Sequence, residues 1–285
     1  MGDAVVLRKE VFMQARILGA LCCALCMCTV FASPVAADEV AVKGRQILET
    51  NKAAVVTILL VLKQKVSFPG SPSRDSESIV EATGTVISPD GLTVVSLSLT
   101  DPTSLLEKMM AGTPQAGRLK METELRDAKI LLGDGTEIPA EIILRDKDLD
   151  MAFVRPLEKQ ETPFAYIDIS DPGEPDYLDQ VISLNRMGKV AGRAYSASVE
   201  RIDAIVRKPR TFYIPGKDAT STGLGSPAFT IDGDFIGVFL IRAIKNTGGG
   251  GSRSMFGGSS SNITTVILPA IDIAEAAEQA PPFED

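Results

Sequence analysis

Residues 221–241 read STGLGSPAFTIDGDFIGVFLI. Small residues and glycines open the stretch. A short apolar run follows (227–231), then Asp232-Gly233, then a second apolar run (235–241). Two apolar runs around an Asp-Gly pair predict a tight β-hairpin. Glycines ahead of it let the backbone turn sharply and bring N–H groups close to whatever faces the loop.

Working outward, the same punctuation recurs. Residues 81–88 and 92–99 flank Pro89-Asp90-Gly91, and residues 127–132 and 136–144 flank Gly133-Asp134-Gly135. Residues 53–66, AAVVTILLVLKQKV, are rich in β-branched side chains and predict a strand. A polar loop over 67–78 and a short apolar strand over 151–155 complete this first series. Residues 156–163 form a charged linker. A second series follows at 164–169, 180–184, 194–206 and 211–214, then the opening hairpin, then a last strand at 263–268. Helices are expected at 40–50, at 269–279, and from 101 to 110, where Asp101 reads as N-cap and Pro102 as the first helical residue. Residues 111–123 read as an insertion. Residues 245–262, KNTGGGGSRSMFGGSSSN, read as a mobile loop. Many short strands with helices mainly at the ends predict an all-β protein of two small barrels. The expected division is a lead-in at 38–52, a first barrel at 53–156, a linker at 157–163 and a second barrel at 164–285.

The first 37 residues are not fold. Arg8, Lys9 and Arg16 precede the apolar run ILGALCCALCMCTVFA at 17–32, and Val35-Ala36-Ala37 places small residues ahead of a cut before Asp38. This is the pattern of a secretory signal peptide. An N-terminal membrane anchor is the alternative, but the run is short for a span of roughly 20 residues. Met13 opens a second complete leader. Export to the periplasm or the cell exterior is expected, with no membrane span once the leader is cut.

All four cysteines (Cys22, Cys23, Cys26, Cys28) lie in that leader, so the remainder is expected to hold no disulfide framework, no cysteine nucleophile and no cysteine metal site. The net charge is −8. Such a chain is not a nucleic-acid binder by composition. It contains no histidine. Asp90 and Asp101 read as turn and cap residues. The acidic run 146–150, DKDLD, lacks the glycine and distal glutamate of a calcium loop. No metal and no cofactor are expected.

Five segments, in order, resemble the HtrA/Deg branch of the trypsin-like serine proteases. Residues 82–100 (ATGTVISPDGLTVVSLSLT) look like the strand-turn-strand that delivers the catalytic His. Residues 133–154 (GDGTEIPAEIILRDKDLDMAFV) look like the segment that delivers the Asp. Residues 180–205 resemble the start of the second barrel, 221–241 the nucleophile loop, and 263–279 the final strand and helix. The resemblance implies two six-stranded antiparallel β-barrels of the chymotrypsin type with short terminal helices; no PDZ domain is expected to follow, because the sequence stops where that family's linker would begin.

It also implies where a catalytic triad would stand. The His position falls on Ser98, the Asp position on Asp150, and the Ser position on Leu224 within Gly223-Leu224-Gly225-Ser226-Pro227, a loop one residue shorter than the family's. A serine hydroxyl needs a base of near-neutral pKa, and the Asp only orients that base. Leucine carries no nucleophilic atom, and no histidine elsewhere can serve. The expectation is therefore an exported protease homologue with a degenerate triad, binding a peptide or protein in the old cleft by way of Gly223, Leu224, Gly225 and Ser226. An edge strand at 205–214, or the region 219–224, is the expected docking edge. On this reading Asp150 is a solvated or capping carboxylate, Ser98 satisfies local hydrogen bonds at a strand end, and Leu224 fills the old site mouth. Two alternatives stand beside it. One is a hydrolase rebuilt around Ser226, Ser221 or Ser98 with a lysine base, Lys217 and Lys245 being nearest in sequence. The other is a structural component of the cell envelope.

Overall fold

Apolar, β-branched sequence dominates the strands, and the ladder pairs them into two closed barrels. The computed structural model describes residues 39–67, 69–70, 72–103, 106, 120–216, 223–243 and 263–283. The leader, most of the expected insertion, Lys217, Ser221, Lys245 and the Gly/Ser stretch 245–262 lie outside the described residues.

Helix α1 (Glu39–Asn51) leads, through a short 3-10 turn (Lys52–Ala54), into β1 (Val55–Ser67). Lys43 Nζ donates to Asp232 Oδ1 at 2.8 Å, tying α1 to the hairpin turn of the second barrel. The first barrel adds β2 (Arg74–Val86), β3 (Thr93–Ser96), β4 (Lys120–Leu131), β5 (Glu137–Asp146) and β6 (Met151–Pro156). It closes in the order β1-β2-β3-β6-β5-β4. The second consists of β7 (Gln180–Arg186), β8 (Tyr195–Val206), β9 (Phe212–Pro215), β10 (Pro227–Thr230), β11 (Phe235–Ala243) and β12 (Ile263–Pro269). It closes as β10-β11-β12-β9-β8-β7, and the short helices α2 (Leu97–Thr100) and α3 (Ala270–Ala277) lie outside the ladders. The fold class is thus the expected one, all-β with two six-stranded antiparallel barrels.

The interiors explain the closure. Ile58, Leu60 and Ile130 are fully buried on the first barrel's strands; in the second, Val181, Ile202, Phe239 and Ile267 pack as one core cluster. Each contributes roughly 1.5–3 kcal/mol by leaving water. The turns behave as their sequences require. In the second barrel Gly233 adopts φ 103°, and its N–H donates to Thr230 O at 3.1 Å.

Several boundaries move. The polar loop expected over 67–78 is cut short, because residues from Arg74 onward pair with β1, Arg74 opposite Val66. Residues 120–123, expected in an insertion, belong to β4 and pair with β1. Residues 97–99 do not continue β3; they form the single helical turn α2. Asp101 Oδ1 accepts the Thr103 N–H at 3.2 Å, the capping bond its position suggested. Residues 164–169 are extended but join no ladder. Phe164 N–H bonds to Pro89 O at 3.0 Å and Ile167 N–H to Val86 O at 2.9 Å, so the linker's exit lies along the first barrel. Residues 205–214 are not one edge strand: Ile205 and Val206 close β8 and pair with Tyr213 and Phe212 of β9 inside the closed barrel.

The C-terminal tail returns to the first barrel. Arg155 Nη1 donates to Pro281 O, its guanidinium lies 4.8 Å from the centroid of the Phe283 ring, and Asp90 Oδ2 is 3.6 Å from Arg155 Nε. Among the described residues no helix is long and apolar enough to cross a membrane.

Candidate functional site

Asp150 enters the site from the turn after β5. Asp146 Oδ1 accepts N–H bonds from Asp148 and Leu149, each at 2.9 Å, which folds that turn tightly. Asp150 takes φ 58°, an uncommon value outside glycine. Its side chain turns inward and the residue is only 5% exposed. This corrects the expectation of a solvated carboxylate.

Donors from both barrels fill that carboxylate. Ser98 N–H reaches Oδ1 at 2.9 Å, and the Ser98 hydroxyl donates to the same oxygen. Ser96 Oγ reaches Oδ2 at 2.8 Å. Ile241 N–H, from β11 of the second barrel, reaches Oδ2 at 3.1 Å. Burial pushes the Asp150 carboxyl above the ordinary value of 3.8, against the downward pull of the bonds from Ser98, Ser96 and Ile241. Ser98 itself is 6% exposed. A hydroxyl that already donates to a carboxylate holds that group in place and offers no base.

The glycine loop sits on the first barrel. Gly225 adopts φ 89°, and a Cβ there would collide with the Thr83 carbonyl oxygen. Thr85 Oγ1 donates to Gly225 O at 2.7 Å. Gly225 N–H donates to Phe239 O at 2.8 Å, and Phe239 N–H to Ser226 O at 2.9 Å, so the loop is pinned from both sides. Ser226 is 0% exposed, and among the described residues its hydroxyl has no hydrogen-bond partner. Among the described residues no lysine amine reaches Ser226 Oγ, and Ser98 Oγ is engaged by Asp150.

Gly223 and Leu224 line a cleft of about 260 Å³. Leu99, the residue after Ser98, lines the same cleft, so the loop and the α2 turn meet there. Thr57 and Thr83 contribute from the first barrel, Asn185 and Arg186 from the second. Thr83 Oγ1 donates to Asn185 Oδ1 at 2.7 Å across the boundary. Thr57, Asn185 and Arg186 were not singled out in the sequence; Thr57 is one polar residue among apolar neighbours in β1, and Asn185 and Arg186 are an adjacent pair at the end of β7. The faint signal was Arg186 itself, a cation ending the apolar run VISLN.

A second cavity, about 860 Å³, lies between the β4–β5 turn, the linker and Tyr195. It contains none of the expected site residues. Among the described residues no cluster of three or more His, Cys, Asp or Glu side chains could hold a metal.

A comparison with curated proteins finds no match. The trypsin-like peptidase domain family, however, matches residues 82–238, more than half of the chain, and the protein belongs to that family.

Proposed function

We propose that this member of the trypsin-like family binds a peptide or protein segment in its inter-barrel cleft and does not cut it. The observation that carries the reading is the occupant of the former base position. Ser98 gives both its N–H and its hydroxyl to the buried Asp150, and the chain contains no histidine to replace it. Leu224 supplies apolar surface to the cleft where the family places its nucleophile. Asp150 then serves as a tie between barrels. The rival with a rebuilt serine loses support from Ser226, whose hydroxyl is enclosed and without a basic partner.

The leader-like first 37 residues support export, and the order of segments supports an HtrA/Deg-like origin. N-terminal sequencing of the protein from the cell envelope tests the first point; a chain starting upstream of residue 38 overturns it.

Activity is tested by incubating purified protein with an unfolded protein substrate and with a serine-reactive fluorophosphonate probe. Neither cleavage nor labelling is expected. Labelling that disappears in a Ser226→Ala variant overturns the proposal.

A further inference from the structure

Strands β2, β1 and β4 run on past the barrel that they help to close. β2 meets β3 only at Thr85 and Val86, and β4 meets β5 only at residues 128–131. Before those points β1 still pairs with both, with Val66 opposite Arg74 on one side and Ser67 opposite Lys120 on the other. The result is a three-stranded tongue whose two outer edges pair with no strand among the described residues. Such an edge presents free N–H and C=O groups at alternate residues, a template for one more strand unless side chains discourage it.

The two edges differ. On β4, Lys120, Glu122, Glu124, Arg126 and Asp127 put charge on five of eight residues, and its ladder with β1 shifts register between Val61 and Leu62. Both are devices that blunt an edge. On β2 the stretch 74–80, RDSESIV, is regularly paired with β1 and ends on Ile79, which is 72% exposed, and half-buried Val80. Beyond it the second barrel lies against the strand. Glu81 accepts from Arg193 Nη2 at 2.5 Å and from Lys189 N–H at 3.1 Å, Thr83 Oγ1 reaches Asn185, and Gly225 sits against the Thr83 carbonyl. The open edge is therefore residues 74–80.

A second copy of this chain does not fit that edge. Only alternate residues turn their N–H and C=O outward, so a two-fold antiparallel pair of β2 strands must be centred on a residue. Centred on Asp75 or Glu77, that acid faces its own copy; on Ser76, Asp75 faces Glu77; on Ser78, Asp75 faces Glu81; on Ile79, Glu77 faces Glu81. Like charges directly opposite are destabilising. The same acids favour a different occupant. Asp75, Glu77 and Ile79 share one face of β2 by the two-residue period. Asp75 has Lys63 at 3.7 Å, while Glu77 forms no ion pair among the described residues.

We propose that the outer edge of residues 74–80 takes up an extended segment of a partner polypeptide, running antiparallel, with an apolar residue opposite Ile79 and basic residues opposite Glu77 and Asp75. Main-chain bonds along the edge supply affinity, and the side chains facing Ile79, Glu77 and Asp75 supply selectivity. Read from its N-terminus, the segment carries one apolar and then two basic residues at two-residue intervals.

The test titrates purified protein with the end-blocked peptide Thr-Val-Thr-Lys-Thr-Lys-Thr and with its twin carrying Glu for both Lys. Amide shifts in the protein's nuclear magnetic resonance spectrum report where each binds. The Lys peptide is expected to shift residues 74–80 and to bind about tenfold tighter than the Glu twin. Glu77→Lys, an exposed substitution, should reverse that preference, and Leu224→Glu should leave it unchanged. N-methylation of one alternate set of peptide residues should abolish binding, and of the other set should be tolerated. No binding, equal binding of the twins, or equal effects of the two N-methylated sets overturns the proposal. Loss of binding in Leu224→Glu with Glu77→Lys unaffected places the peptide in the cleft and also overturns it. A concentration-dependent dimer in sedimentation that Glu77→Lys alters would show a second copy on the edge, with the same consequence.

Discussion

The backbone N–H of Ile241 lies 3.1 Å from Oδ2 of Asp150, so a carboxylate at the end of one barrel accepts a bond from a strand of the other. Three further donors, all from Ser96 and Ser98, converge on the same group. Removing it leaves four donors without an acceptor in a dry place. Asp150→Ala should therefore lower stability by about 2–4 kcal/mol, beyond the loss of a single neutral hydrogen bond. Urea unfolding followed by circular dichroism reads this directly. A change under about 0.5 kcal/mol, the size of an ordinary surface substitution, would mean that the tie is not structural.

The pH dependence of Asp150 has the less common sign. Its folded pKa lies above the ordinary 3.8, so the folded state holds this proton more tightly than the unfolded chain does. Its contribution is fully present below 3.8 and is lost as pH rises through the higher folded value. The stability of the protein relative to Asp150→Asn should accordingly fall as pH rises from about 3.8 through that window. Parallel unfolding curves at a series of pH values check it; a difference that grows with pH contradicts it.

On the proposed reading, a serine at residue 224 alone should not create catalysis. Leu224→Ser places a hydroxyl in the cleft but supplies no base, because the chain has no histidine. Fluorophosphonate labelling of Leu224→Ser is expected to stay at background. Reactivity should first appear in the double variant Leu224→Ser with Ser98→His, which places an imidazole beside Asp150. Labelling of the single variant would reveal a base elsewhere.

Gly225 is held by geometry that an alanine cannot share. Its φ of 89° and the nearby Thr83 carbonyl both exclude a side chain. Gly225→Ala should cost about 2–4 kcal/mol or prevent folding, combining backbone strain with overpacking. Thr85→Val, which removes only the bond to Gly225 O, should cost about 1 kcal/mol. Thermal melts of the two variants separate the effects.

Ser226 predicts the opposite outcome. Its hydroxyl is buried without a partner. Ser226→Ala removes an unsatisfied group whose burial costs about 1–3 kcal/mol, so the variant should be neutral or more stable. Clear destabilisation in a melt would show that the hydroxyl makes an interaction that matters.

The barrels were legible because their turns announce themselves. Asp90-Gly91 and Asp232-Gly233 each sit between apolar runs, and both close antiparallel connections. The start of β2 was not legible, because residues 74–80 are mostly polar and exposed; only their ladder with β1 makes them a strand. The family itself was readable from the order of the segments, and its model matches residues 82–238. The burial of Asp150 was not, since one of its donors lies 91 residues away and that bond exists only once the two barrels meet.

The tail that brings Pro281 and Phe283 to Arg155 means that the polypeptide returns to the first barrel at its end, in addition to the linker and to α1, which is tied to Asp232 of the second barrel before it enters β1. The linker is then not the sole fastening. A chain nicked between residues 157 and 163 should stay together as a two-fragment complex, clasped by this tail, by Asp150 with Ile241, and by Arg186 with Leu131. The two fragments, mixed after separate purification, would be candidates for reassembly, and the molecule behaves mechanically as a closed clasp instead of two beads on a string.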